Sequence, residues 1–242
     1  MKREITLLLI SSFFVISAAA QSMIPVKWSS IQGWVNNNPA HVRELVNRLG
    51  KQSVDSGLTM KDKVLAFYGQ SYLNHSGEDY FVFMMKDSLR NNKNGAAMRI
   101  ANDVLKINCL NIDALSAKIE VYKRQASDTA SASKDLPSNW EQSATENRRL
   151  RLFKVIAATG NGTIKYPYAV TKLSDEYNFV RDYLGIDDIT SHEIEGNYDV
   201  LHLGKQSGYY KRSVIFFDAT RIYDLEKEMS DQKVDDGETP GI

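Results

Sequence analysis

Apolar residues recur at helical spacing from Val42 to Ala157, and short strand-like runs take over after Tyr166. Asn38-Pro39 joins a capping side chain to proline at a first helical position, Val42, Leu45, Val46 and Leu49 follow as one stripe, and Gly50 is placed to end it. Thr59 and Asp62 form a capping-box pair ahead of a second stripe, Val64, Leu65, Tyr68 and Tyr72. From Asp79 the pattern becomes stacked helices. Tyr80, Phe81, Met84, Met85 and Leu89 make one apolar surface, Asn91 to Gly95 interrupts it, and Ala97, Ile100, Ala101, Val104 and Leu105 make another. A further helix begins near Ile112. Residues 126–138, opening Ala126-Ser127-Asp128-Thr129-Ala130, lack apolar periodicity and read as a loop or linker. Ser138 with Glu141 then opens a helix carrying Trp140, Ala144, Leu150, Phe153 and Ala157. Gly160-Asn161-Gly162 ends it, with residue types that tolerate positive φ.

The remainder mixes strands and helices. Tyr166 to Thr171 reads as a strand, and Ser174 caps a helix with Asp175 and Glu176 in its first turn and Tyr177, Val180 and Leu184 on its buried face. Ile189 to Glu195 and Tyr198 to Leu203 flank Gly196-Asn197 as a hairpin, Ser213 to Asp218 is a further strand, and Ile222, Leu225 and Met229 mark a last helix. The expected fold is α+β: a helical-hairpin layer over residues 21–125, then a small antiparallel sheet with one or two helices over 139–230, and a disordered acidic tail over 231–242. Two units are expected. The joint from Leu105 to Leu115 resembles the junction between tetratricopeptide-type helical repeats, with Cys109 where proline is usual. The likeness spans about one repeat, so it implies a helical-hairpin layer and not a repeat array.

Composition adds an address. Lys2 and Arg3, the apolar run Leu7 to Ile16 and the small residues Ala18-Ala19-Ala20 have the order of a secretory signal peptide cleaved near Ala20. Residues 1–20 are therefore expected to be removed, leaving a periplasmic or secreted chain with no membrane span. Cleavage takes two basic residues and one acidic residue from the 30 of each, so the mature charge is near minus one. That balance gives no electrostatic footprint for nucleic acid. Cys109 is the single cysteine, so no intramolecular disulfide forms, and its place at a helix junction favours packing over nucleophilic chemistry.

The signal segment, the helical first half, Thr159-Gly160-Asn161-Gly162, Asp175-Glu176-Tyr177 and the closing Val214-Ile215-Phe216-Phe217-Asp218 together resemble an uncharacterised exported bacterial family. It is the domain-of-unknown-function family numbered four-nine-one-nine. The resemblance implies export in a Gram-negative cell, and it implies no reaction and no set of functional residues.

Candidate chemistry is sparse. No phosphate-binding, zinc or serine-hydrolase signature of standard spacing is present, so no cofactor and no metal are expected. Histidines stand at 41, 75, 192 and 202. His192, His202 and Asp199 lie on the hairpin strands and are the least implausible catalytic contributors, with hairpin pairing setting His192 opposite Leu201 and Glu195 opposite Tyr198. Arg148, Arg149, Arg151 and Lys154 read as a solvated helix face. Asp128-Thr129-Ala130 resembles an acceptor pattern for O-glycosylation at Thr129 in exported proteins of some Gram-negative bacteria. Two functions stand from this reading: an exported binding or scaffold protein with a protein or glycan partner in the envelope, and an envelope hydrolase whose site is assembled from distant residues.

Overall fold

The computed structural model describes residues 23–73, 77–128 and 139–235. The stretch expected as a signal peptide, His75, Thr129, Ser138 and the residues beyond Asp235 lie outside the described residues. The helical part comprises α1 (Trp28–Asn37), α2 (Pro39–Leu49), α3 (Met60–Gly69), α4 (Glu78–Arg90), α5 (Asn94–Ile107), α6 (Ile112–Asp128) and α7 (Asn139–Ala157). There follow β1 (Tyr168–Ala169), α8 (Leu173–Asp182), β2 (Ile189–Glu195), β3 (Tyr198–Leu203), β4 (Val214–Asp218) and α9 (Thr220–Asp235). The architecture is α+β, and among the described residues no helix is long and apolar enough to cross a membrane.

Local signals account for most of these elements. The Thr59 hydroxyl accepts from the Asp62 amide while the Asp62 carboxylate accepts from the Thr59 amide, closing the expected capping box at the start of α3. Asn38 makes no side-chain cap, so α2 begins on the conformational preset of Pro39 alone. Ala97, Ala101 and Val104 lie at helical spacing on the buried side of α5, and their small size lets Met85 of α4 and Ala114 and Ala117 of α6 pack close to form a satellite core. α6 runs through Asp128, so the first three residues of the stretch expected as linker are helical. α9 reaches Asp235, likewise helical into the stretch expected as tail.

The sheet has the order β1-β4-β3-β2. β2, β3 and β4 are antiparallel neighbours, with His192 opposite Leu201 and Glu195 opposite Tyr198 as expected. β1 runs parallel to β4, so the sheet is mixed and not purely antiparallel. α8 follows that parallel edge strand and packs Phe179 against Tyr168 of β1 and Phe217 of β4. Opposite them, Phe153 of α7 meets Phe179 with ring centres 6.0 Å apart. Leu152, Phe153, Val155 and Ile156 are all buried, so α7 is covered on most sides between the helical layer and the sheet. Trp140 and Leu150 of the same helix are exposed. One buried cluster runs from Ile31 through Phe67 and Phe153 to Phe217 and so contains residues of both halves.

Candidate functional site

Strand alternation decides which hairpin residues meet. His192 and Asp199 belong to positions paired with Leu201 and Ile194, which places them on one face of the sheet, the face toward α8. His192 Nε2 lies 3.6 Å from Asp199 Oδ1. His202, paired with Val214 and Ser191, points to the other face and sets its Nε2 3.3 Å from Glu193. The structure therefore brings together two of the three hairpin candidates and separates the third. His41 is on α2 beside Glu44, far along the chain from this cluster.

A residue with no metal or catalytic signature in the sequence completes the group. Glu176, from the first turn of α8, lies beneath the hairpin fully buried, and ligand atoms of Glu176, His192 and Asp199 all lie within 4.8 Å of one another. Neither Glu176 oxygen has a hydrogen-bond donor. Burial, and then the charge of Asp199, push the Glu176 carboxyl up to about 10. The Tyr223 hydroxyl, from α9, donates to Asp199 Oδ1, and burial together with that carboxylate raises the phenol well above its ordinary range. On the other side of the imidazole, the Tyr177 hydroxyl stands 3.5 Å from His192 Nδ1.

Acidic residues in a first helical turn ordinarily face solvent and offset the helix dipole. α8 buries Asp175, Glu176, Asn178, Phe179 and Val180 instead, while Tyr177 is only half-buried. The cause is its position between the helical layer and the sheet. Ser174 does not cap the helix; its hydroxyl donates to Asp113 Oδ2 of α6 at 2.7 Å, and Asn178 donates to Asp113 Oδ1 at 2.9 Å. Asp175 is wholly enclosed, and burial with the neighbouring Asp113 carboxylate raises it to about 7. Nearby, Glu78 of α4 accepts from Asn108 at 2.9 Å, Asn111 at 2.6 Å and Lys172 at 2.7 Å. This buried polar seam joins the repeat-like junction to the loop before α8.

Tyr177 also lines a groove of about 790 Å³, bordered mainly by α4, α6 and α8. Met85, Leu89, Ala117 and Ile119 make its apolar floor. Its rim carries both signs: Lys86, Lys123, Arg149 and Arg181 against Asp113, Glu120, Asp182 and Asp187. Arg149 is held by Asp182 across α7 and α8. Its neighbours are equally engaged, Arg148 donating to the Cys109 carbonyl and Arg151 to the carbonyls of Lys51 and Gln52. The arginines expected on a solvated face thus pin α7 to neighbouring segments, and of the four basic residues only Lys154 is exposed.

Cys109 packs against α2, its Sγ 3.6 Å from the Val46 carbonyl, and burial pushes its thiol up, away from the reactive thiolate. Gly160-Asn161-Gly162 turns the chain as expected, though positive φ occurs at Gly162 and not at Gly160. Residues 29–228 match the family model described as a domain of unknown function, DUF4919. No curated protein and no solved structure matches the chain. With that match spanning most of its length, the chain belongs to the DUF4919 family.

Proposed function

We propose that the chain is exported and serves as a binding or scaffold protein of the cell envelope, taking a polypeptide segment of its partner into the groove between α4, α6 and α8. The supporting observation is the groove's make-up. Its volume, about 790 Å³, falls within the range of built ligand sites, its floor is apolar, and its rim carries charges of both signs. A polypeptide offers an aliphatic side chain for the floor at Leu89 together with polar groups for the mixed-charge rim.

A photo-crosslinking side chain at Lys123, on the rim, tests this in the native envelope, with the same probe at exposed Lys211 as reference. A discrete adduct at Lys123, absent at Lys211 and reduced several-fold by a compensating Lys86→Glu change, is expected. Equal labelling at both positions, or none at Lys123, overturns the reading. The second reading, an envelope hydrolase, draws on the convergence of His192 and Asp199 beside Glu176. His202 stands on the opposite face and takes no part in that arrangement.

A further inference from the structure

We propose that Glu176, His192 and Asp199 bind one divalent transition-metal ion of the zinc class, through the imidazole Nε2 and an oxygen of each carboxylate. The site lies outside the groove, so it stands or falls separately from the polypeptide reading.

The three donors come from three different elements, α8, β2 and β3, and reach within 4.8 Å of one another. Zinc bonds of about 2.0–2.2 Å to nitrogen and oxygen need donors somewhat closer than that, a distance side-chain rotation can close. Glu176 supplies the independent sign of a ligand. It is fully buried, it is aimed into the cluster, and no donor serves either of its oxygens. A cation between Glu176 and Asp199 satisfies both side chains at once. Two carboxylates also balance the charge of one dication.

The surroundings fit the same occupant. Metal-bound histidines hold their second ring nitrogen in a hydrogen bond that fixes the ring. Here Nε2 faces Asp199 at 3.6 Å while Nδ1 faces the Tyr177 hydroxyl at 3.5 Å. Asp199 is in turn held by the Tyr223 hydroxyl. One nitrogen with two oxygens favours zinc or a neighbouring first-row ion over calcium and magnesium, which take oxygen alone. The His192 side chain is 26% exposed, so an ion enters from solvent and a water completes its coordination.

Titration of the chelator-stripped mature chain with zinc chloride, followed by calorimetry and native mass spectrometry, tests the site. One zinc per chain is expected, with a rise in Tm that calcium at the same concentration does not produce. Glu176→Gln and His192→Ala should each weaken zinc binding at least tenfold, while His202→Ala, on the opposite face, should bind as the native chain does. If Glu176→Gln fails to fold, His192→Ala on the exposed edge strand carries the test alone. Absence of stoichiometric zinc in the native chain overturns the proposal and leaves a proton as the only occupant between the carboxyls. Undiminished binding by His192→Ala overturns it equally, since the ion would then sit elsewhere.

Discussion

Glu78 shows how one side chain fastens the repeat-like junction to the loop before α8. Burial opposes its charge, but the Lys172 ammonium and the amides of Asn111 and Asn108 outweigh that and hold its carboxyl below its ordinary value. A carboxyl lowered from 4.5 stabilises the fold at every pH above that value and loses the contribution as the pH falls through its folded value. Urea denaturation of Glu78→Gln should therefore show a shallower loss of stability below pH 4.5 than the native chain shows. Glu78→Ala strands the lysine and two amides in the seam, with an expected cost of about 3 kcal/mol at neutral pH, read from the same denaturation curves. None of this was visible in spacing. Glu78 and Lys172 are brought together across 94 positions, and each reads locally as an ordinary helix-end charge.

The turn after α7 belongs to the scale of elements. Its glycines were legible as a chain reversal, but the need for them differs between the two. Gly162 has φ 73, where only glycine is unstrained. At Gly160 a Cβ would lie 2.0 Å from the Pro167 carbonyl oxygen and 2.5 Å from that of Tyr166. Backbone cannot move aside as a flexible side chain does, so Gly160→Ala should cost about 2 kcal/mol or more, measured by thermal or urea denaturation. The hairpin bounds and the register near its turn were legible, because alternation and a Gly-Asn turn are local signals, while the register shift between Ile189 and Ser191 was not. The arginines of α7 were not. A charge run has the same local appearance whether its groups meet water or, as with Arg148, a carbonyl in the turn between α5 and α6.

Across the whole molecule, the two halves share one buried cluster. Tyr68 of α3 donates to the Ala169 carbonyl of β1 at 2.8 Å, and Trp28 of α1 donates to Asp218 at the end of β4 at 2.9 Å. Neither half can open without exposing apolar surface of the other. Far-UV circular dichroism, which reports the helices, and tryptophan fluorescence, which reports the Trp28 contact, should therefore give one coincident urea transition. Separate midpoints would show that the shared core does not couple the halves. The sequence by itself determined the order of helices and strands, the hairpin register and the family, because caps, turns and periodicity act over a few residues. Only the tertiary structure decided that Glu176 joins His192 and Asp199, that His202 does not, and that α4, α6 and α8 border a groove. Those outcomes depend on which face of α8 the sheet and the helical layer both claim, and burial by distant elements leaves no mark on local spacing.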